Sequence, residues 1–73
     1  MITAYYNPEK KTLRVETKGQ VVCNRRDVNP PEISKDRWGY KLSCAKILPN
    51  NEVQPDAVCV WADFIELVTE VDG

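Results

Sequence analysis

The side chains best suited to covalent or metal chemistry in this sequence are three cysteines, Cys23, Cys44 and Cys59, and no histidine accompanies them. They stand 21 and 15 residues apart with no CxxC pair, which is unlike the paired ligands of a structural zinc site. Their odd number, with no secretory leader ahead of them, reads as reduced thiols in a cytosol. Their expected role is that of small core hydrophobes. Neither a metal nor a cofactor is expected. Without imidazole there is no triad and no ordinary acid–base catalyst for neutral pH. The glycines, Gly19, Gly39 and Gly73, are too scattered to cradle a phosphate. Carboxylates are plentiful in the C-terminal half, but a chain this short has little wall for a desolvated cleft around a pair of them. A solvated acidic surface is the expectation, and the protein is not expected to be an enzyme.

Charge is the more informative property. The formal net charge is −1, yet residues 1–46 hold all ten Lys and Arg against five acids (Glu9, Glu16, Asp27, Glu32, Asp36), a net of +5. Residues 47–73 hold six acids and no base, a net of −6. Such asymmetry predicts either a molecule with a positive and a negative face or two halves that interleave and neutralise each other locally. Nucleic-acid binding is one reading of the basic half. There the cations alternate with Tyr5, Tyr6, Trp38 and Tyr40, as on a small barrel that stacks bases and tracks phosphates. The pI of about 5.3 opposes that reading, because a basic-domain signature lies above about 9. Protein binding is the stronger reading. Arg, Tyr and Trp are the residues enriched at hot spots, and Arg25-Arg26 falls in a segment with no evident core duty. The candidate contacts are Tyr5 or Tyr6, Lys10, Lys11, Arg14, Arg25 and Arg26, with nucleic acid a secondary ligand.

The elements that must position these residues are mostly strands. Seventy-three residues make a single domain, 1–73, with a thin core. ITAYYNPEKKTLRVET reads as a hairpin around a turn at Asn7-Pro8-Glu9-Lys10, with Leu13 and Val15 alternating against Arg14 and Glu16. Whether Tyr5 or Tyr6 faces solvent depends on a one-residue register. Lys18-Gly19 is a tight turn into a strand over Gln20 to Asn24. In NPPEISKDRWG, Asn29 as cap, Pro30, Glu32 and a terminal Gly39 carry helix signals over about 30 to 37. An extended loop is the alternative, since Pro31 disfavours helix at Pro30. WGYKLSCAKIL is a strand placing Trp38, Tyr40, Leu42 and Cys44 on one face, with a phase change at Ala45 and Ile47 that fits a bulge. A loop, PNNEVQPD, precedes the strand AVCVW. The last segment reads as a helical turn across Ala62 to Glu66 and a strand from Leu67 to Val71, with a helix capped by Asp56 as the competitor.

These elements predict a mainly β fold, a small curled antiparallel sheet or barrel of five to six short strands with at most one or two short helices. The alternative is α+β with a C-terminal helix. No apolar run approaches the ~18 residues that span a bilayer. Together with the missing leader, this gives the expectation of a cytoplasmic monomer with no membrane partner.

The opening ITAYYNPEKKTLRVE, the length of 73, the lack of catalytic residues and the acidic C-terminus together resemble small bacteriophage-encoded regulators of bacterial RNA polymerase. These are the inhibitors and antiterminators of the kind found in a Xanthomonas phage. The resemblance spans the whole chain. It implies binding to the large subunits of bacterial RNA polymerase, interference with sigma-dependent promoter recognition, and altered termination, all in the host cell cytoplasm. It assigns no role to individual residues.

Overall fold

Alternate residues between Thr12 and Thr17 differ in polarity, and this segment forms a strand with Leu13 and Val15 fully buried and Arg14 turned outward. It is the second strand of an all-β molecule, seen in a computed structural model that describes residues 2–54 and 57–70. The strands among the described residues are β1 Ile2–Asn7, β2 Thr12–Thr17, β3 Gln20–Arg26, β4 Glu32–Asp36, β5 Gly39–Cys44, β6 Ala57–Ala62 and β7 Ile65–Thr69. They form two sheets, ordered β3-β2-β1-β7 and β4-β5-β6, and neither closes into a barrel. The mainly β expectation is met, with one mixed pairing: β7 lies parallel to β1, from Ile65 beside Ile2 to Thr69 beside Tyr6. The other strand pairs are antiparallel.

Local chemistry sets the turns. The Asn7 side-chain oxygen accepts from the backbone N–H of Glu9 and of Lys10 at 2.9 and 3.0 Å, closing the first hairpin in the manner typical of Asn. Lys18 and Gly19 both have positive φ, 53° and 76°, the pair of left-handed residues that a two-residue type I′ hairpin turn requires. At Gly39 (φ 131°) an added Cβ would lie 2.6 Å from the Ala62 carbonyl oxygen, so only glycine lets β5 approach β6 there.

The core lies between the sheets. Ala4, Tyr6, Leu13, Val15, Cys23 and Ile65 come from the first sheet, Leu42 and Cys44 from the second, and Val28 from the link between them. The chain crosses from β6 to β7 through Asp63 and Phe64. The Phe64 ring meets Tyr40 edge-on with centroids 5.6 Å apart.

Two expectations are corrected. The segment 30–37 is not a helix: Glu32–Asp36 is strand β4, paired with β5 from Glu32–Ser43 to Asp36–Gly39. The proline pair opposes a helical start, and a helix would have only Ile33 and Trp38 to bury, on different faces. As a strand, Ile33 packs against the core while Trp38 sits in the turn, 76% exposed. Among the described residues there is likewise no C-terminal helix. Residues 57–62 are strand, a bend at Asp63 replaces the helical turn, and Ile65–Thr69 is strand. Asp56 and Val71 lie outside the described residues.

Candidate functional site: a basic cleft beside strand β3

Strand β3 does not stop at Asn24 but runs on to Arg26, with Arg25 opposite Leu13 and Arg26 opposite Thr12. A bulge at Val22, between the pairs Val15–Cys23 and Glu16–Val21, sets this register. Asp27 then turns the chain with φ 54°, and Val28 drops into the core, 1% exposed. Three contacts hold Val28. Its N–H donates to the Lys11 carbonyl at 3.1 Å, its carbonyl accepts the buried Tyr6 hydroxyl at 2.9 Å, and it forms an antiparallel bridge with Lys46. The flanking Asn29 N–H donates to Ala45 O at 2.9 Å, and Ile47 N–H to Asp27 O at 2.7 Å.

This clamp brings Lys46 across from the end of β3. The result is a cleft of about 520 Å³ with Arg25, Arg26 and Lys46 on its walls, the amides of Asn24 and Gln54 beside them, and Val28 and Cys44 at its base. Among the described residues no carboxylate lines it. Arg25 makes a long 3.4 Å contact to the neighbouring Asn24 carbonyl, and among the described residues no ion pair engages Arg25 or Arg26. β3 is also the outermost strand of its sheet, so it presents edge N–H and C=O groups. Guanidinium groups suit bidentate pairing with carboxylate or phosphate. The cleft is built to accept anions. An adjoining depression shares Lys46 and adds Lys11, but Asp27 lines it as well, which tempers its charge.

The other sequence candidates are distributed differently. Tyr6 is 5% exposed and belongs to the core. Burial raises its phenol pKa above the usual 10.0. Tyr5 is the outward member of the pair, with the Arg14 guanidinium 4.7 Å above its ring. Arg14 itself is occupied. Its Nε lies 2.6 Å from Glu16 and its Nη2 3.6 Å from Glu70. The Glu16 approach is an ion pair rather than an aligned hydrogen bond, since Nε finds no well-oriented acceptor. Lys10 and Lys11 are exposed at the β1–β2 turn, and Lys11 comes near the cleft through the Val28 contact. Lys46 is one of the cations of the basic half, but neither it nor Gln54 is among the protein-contact candidates of the sequence. Only the long-range bridge Val28–Lys46 and the Gln54 N–H to Lys46 O bond of 2.9 Å place them at the cleft, and no local pattern announces either.

The fold and the cleft define a small two-sheet β domain with a basic cleft beside one sheet edge. Comparison with protein-family models, curated proteins and solved structures returned no match to the chain. Among the described residues no three His, Cys, Asp or Glu side chains are arranged to hold a metal ion, and no helix is long and apolar enough to cross a membrane.

Proposed function

We propose that the protein is a non-enzymatic regulator that binds the large subunits of bacterial RNA polymerase. On this reading it acts by steric occupation of a surface needed for sigma-dependent promoter recognition and for termination. The observation that carries the binding mode is the convergence of Arg25, Arg26 and Lys46 on a cleft that no carboxylate lines among the described residues, beside the outer edge of strand β3. An acidic surface on the partner would supply the missing counter-charge, with electrostatics steering the encounter and fixing orientation. The polymerase as partner comes from the resemblance of the chain's opening, length and acidic end; the docking face comes from the cleft.

The test is binding of the labelled protein to purified bacterial RNA polymerase at about 50 mM salt. The expected result is saturable binding that falls about tenfold or more, ~1.4 kcal/mol, in the R25E/R26E double variant. No binding by the wild-type protein would end the polymerase proposal. A second reading is nucleic-acid binding, favoured by Trp38 and Trp61, 76% and 50% exposed, each with a cation near its ring, Arg37 and Lys41. It predicts a steep salt dependence on single-stranded oligonucleotides, and a flat titration at the same salt would remove it.

A further inference from the structure

Cys23, Cys44 and Cys59 are far apart in sequence, yet the fold gathers all of them between the sheets. They come from β3, β5 and β6 respectively. Cys59 is the extra residue of a bulge: Leu42 pairs with Val60 and Ser43 with Val58, and Cys59 falls between the two pairs. Its sulfur lies 3.0 Å from that of Cys44, and Cys23 belongs to the same core cluster. Cys44 is 6% exposed but lines the basic cleft, and Cys59 is half-buried. A small solute entering the cleft therefore meets Cys44, whose sulfur is already 3.0 Å from that of Cys59. A strand ladder with a bulge has no packing need for its extra residue to be a cysteine aimed at another cysteine, and a bulge is a device that re-aims a side chain.

We propose that Cys44 and Cys59 form a dithiol site that hydroperoxides oxidise reversibly to a disulfide joining β5 to β6. The site is independent of the partner proposed above. Burial, followed by the hydrogen bond to Cys44, pushes the Cys59 thiol up to about 11, so at neutral pH Cys59 keeps its proton beside the Cys44 sulfur. Cys44, open to the cleft, is the sulfur that attacks. It displaces water or an alcohol from the hydroperoxide as the O–O bond breaks, and becomes a sulfenic acid. The Cys59 sulfur then attacks the Cys44 sulfur, the S–S bond forms, and the sulfenic hydroxyl leaves as water with the Cys59 proton. Two thiols have together lost two electrons and two protons to one hydroperoxide. A small dithiol reductant reverses the step by thiol–disulfide exchange. The burial of Cys44 and the retained proton of Cys59 make the pair slow to react, because the thiolate is the nucleophile, so sustained exposure is needed.

The test treats the full, folded chain with hydrogen peroxide, alkylates the remaining thiols and maps the peptides by mass. Expected is a fall from three alkylated cysteines to one, a Cys44–Cys59 cross-linked peptide, and return to three after dithiothreitol. C23S should retain the cross-link. C59S, at a half-buried position whose replacement leaves the ladder intact, should lose it. Three alkylated thiols after prolonged oxidant, or a cross-link running through Cys23 or between two chains, would overturn the proposal on the wild-type protein alone.

Discussion

Tyr5 and Tyr6 are neighbours in the chain and live in opposite surroundings. Tyr6 points between the sheets, its hydroxyl donating to the Val28 carbonyl, while Tyr5 points outward beneath Arg14. The same division runs through β2, where Leu13 and Val15 are buried and Arg14 and Glu16 are not. A second division separates arginines of one sheet. Arg14 meets Glu16 and Glu70, whereas Arg25 and Arg26 meet no carboxylate among the described residues. Strand periodicity explains the first division. The second depends on which strand arrives alongside: β7 docks parallel to β1 and brings Glu70 to Arg14, while β3 remains an edge. The acidic C-terminal half thus reaches Arg14 in the middle of the sheet through Glu70, while Arg25 and Arg26 at the rim have no ion pair among the described residues.

The inner face should give the largest effects. Leu13→Ala opens a cavity at a fully buried position and should cost about 2–5 kcal/mol in denaturant unfolding. A loss below about 1 kcal/mol would mean that the inner face is not the stabilising core. Tyr6→Phe keeps the ring and deletes one hydrogen bond, leaving the Val28 carbonyl without its partner, and should cost about 1–3 kcal/mol. Its pH dependence has a definite sign. The folded-state pKa of Tyr6 is raised above the ordinary 10.0 by burial, so the folded form holds its proton more tightly than the unfolded form. That contribution is fully present below pH 10 and is lost as pH climbs through the raised value. The Phe variant should therefore show a shallower alkaline limb than the wild type, and an unchanged limb would place the titration elsewhere.

Much of this division was legible from the sequence, for identifiable reasons. The Asn7 turn, the Lys18-Gly19 turn and the Leu13/Val15 alternation are local, and each of these segments folds as its own chemistry dictates. NPPEISKDRWG was harder, since its helix signals are local too; what overrides them is pairing with β5, a tertiary contact that propensity does not contain. The cleft shows the limit most clearly. Arg25 and Arg26 stand out in the sequence, but β3 extends to include them only because β2 continues alongside, and Lys46 joins them only through the Val28 bridge. The gathering of the three cysteines is invisible for the same reason, as their strands meet only after both sheets have formed.

At the rim, stability and binding should separate. R25E/R26E alters exposed positions and should change folding by no more than about 0.5 kcal/mol per site while polymerase binding falls about tenfold or more, ~1.4 kcal/mol. An equal fall in stability would show that the two arginines support β3 rather than contact a partner.

Arg14→Gln should have the smallest effect and is the sharpest control for the second division. Its side chain is 41% exposed, so solvent screens its pairs with Glu16 and Glu70, and exposed pairs contribute about 0.2–1 kcal/mol at most. The contact with Tyr5 adds about 0.5–1 kcal/mol at an exposed site. Glutamine keeps some of the aliphatic cover over the Tyr5 ring, so the net loss should stay near 1 kcal/mol and shrink as salt is added. Binding to polymerase should be unchanged, because the charge removed was already neutralised within the sheet. Should Arg14→Gln weaken binding as much as R25E/R26E does, the docking face would be the centre of the sheet, with Tyr5 as its anchor, and the rim would be a bystander.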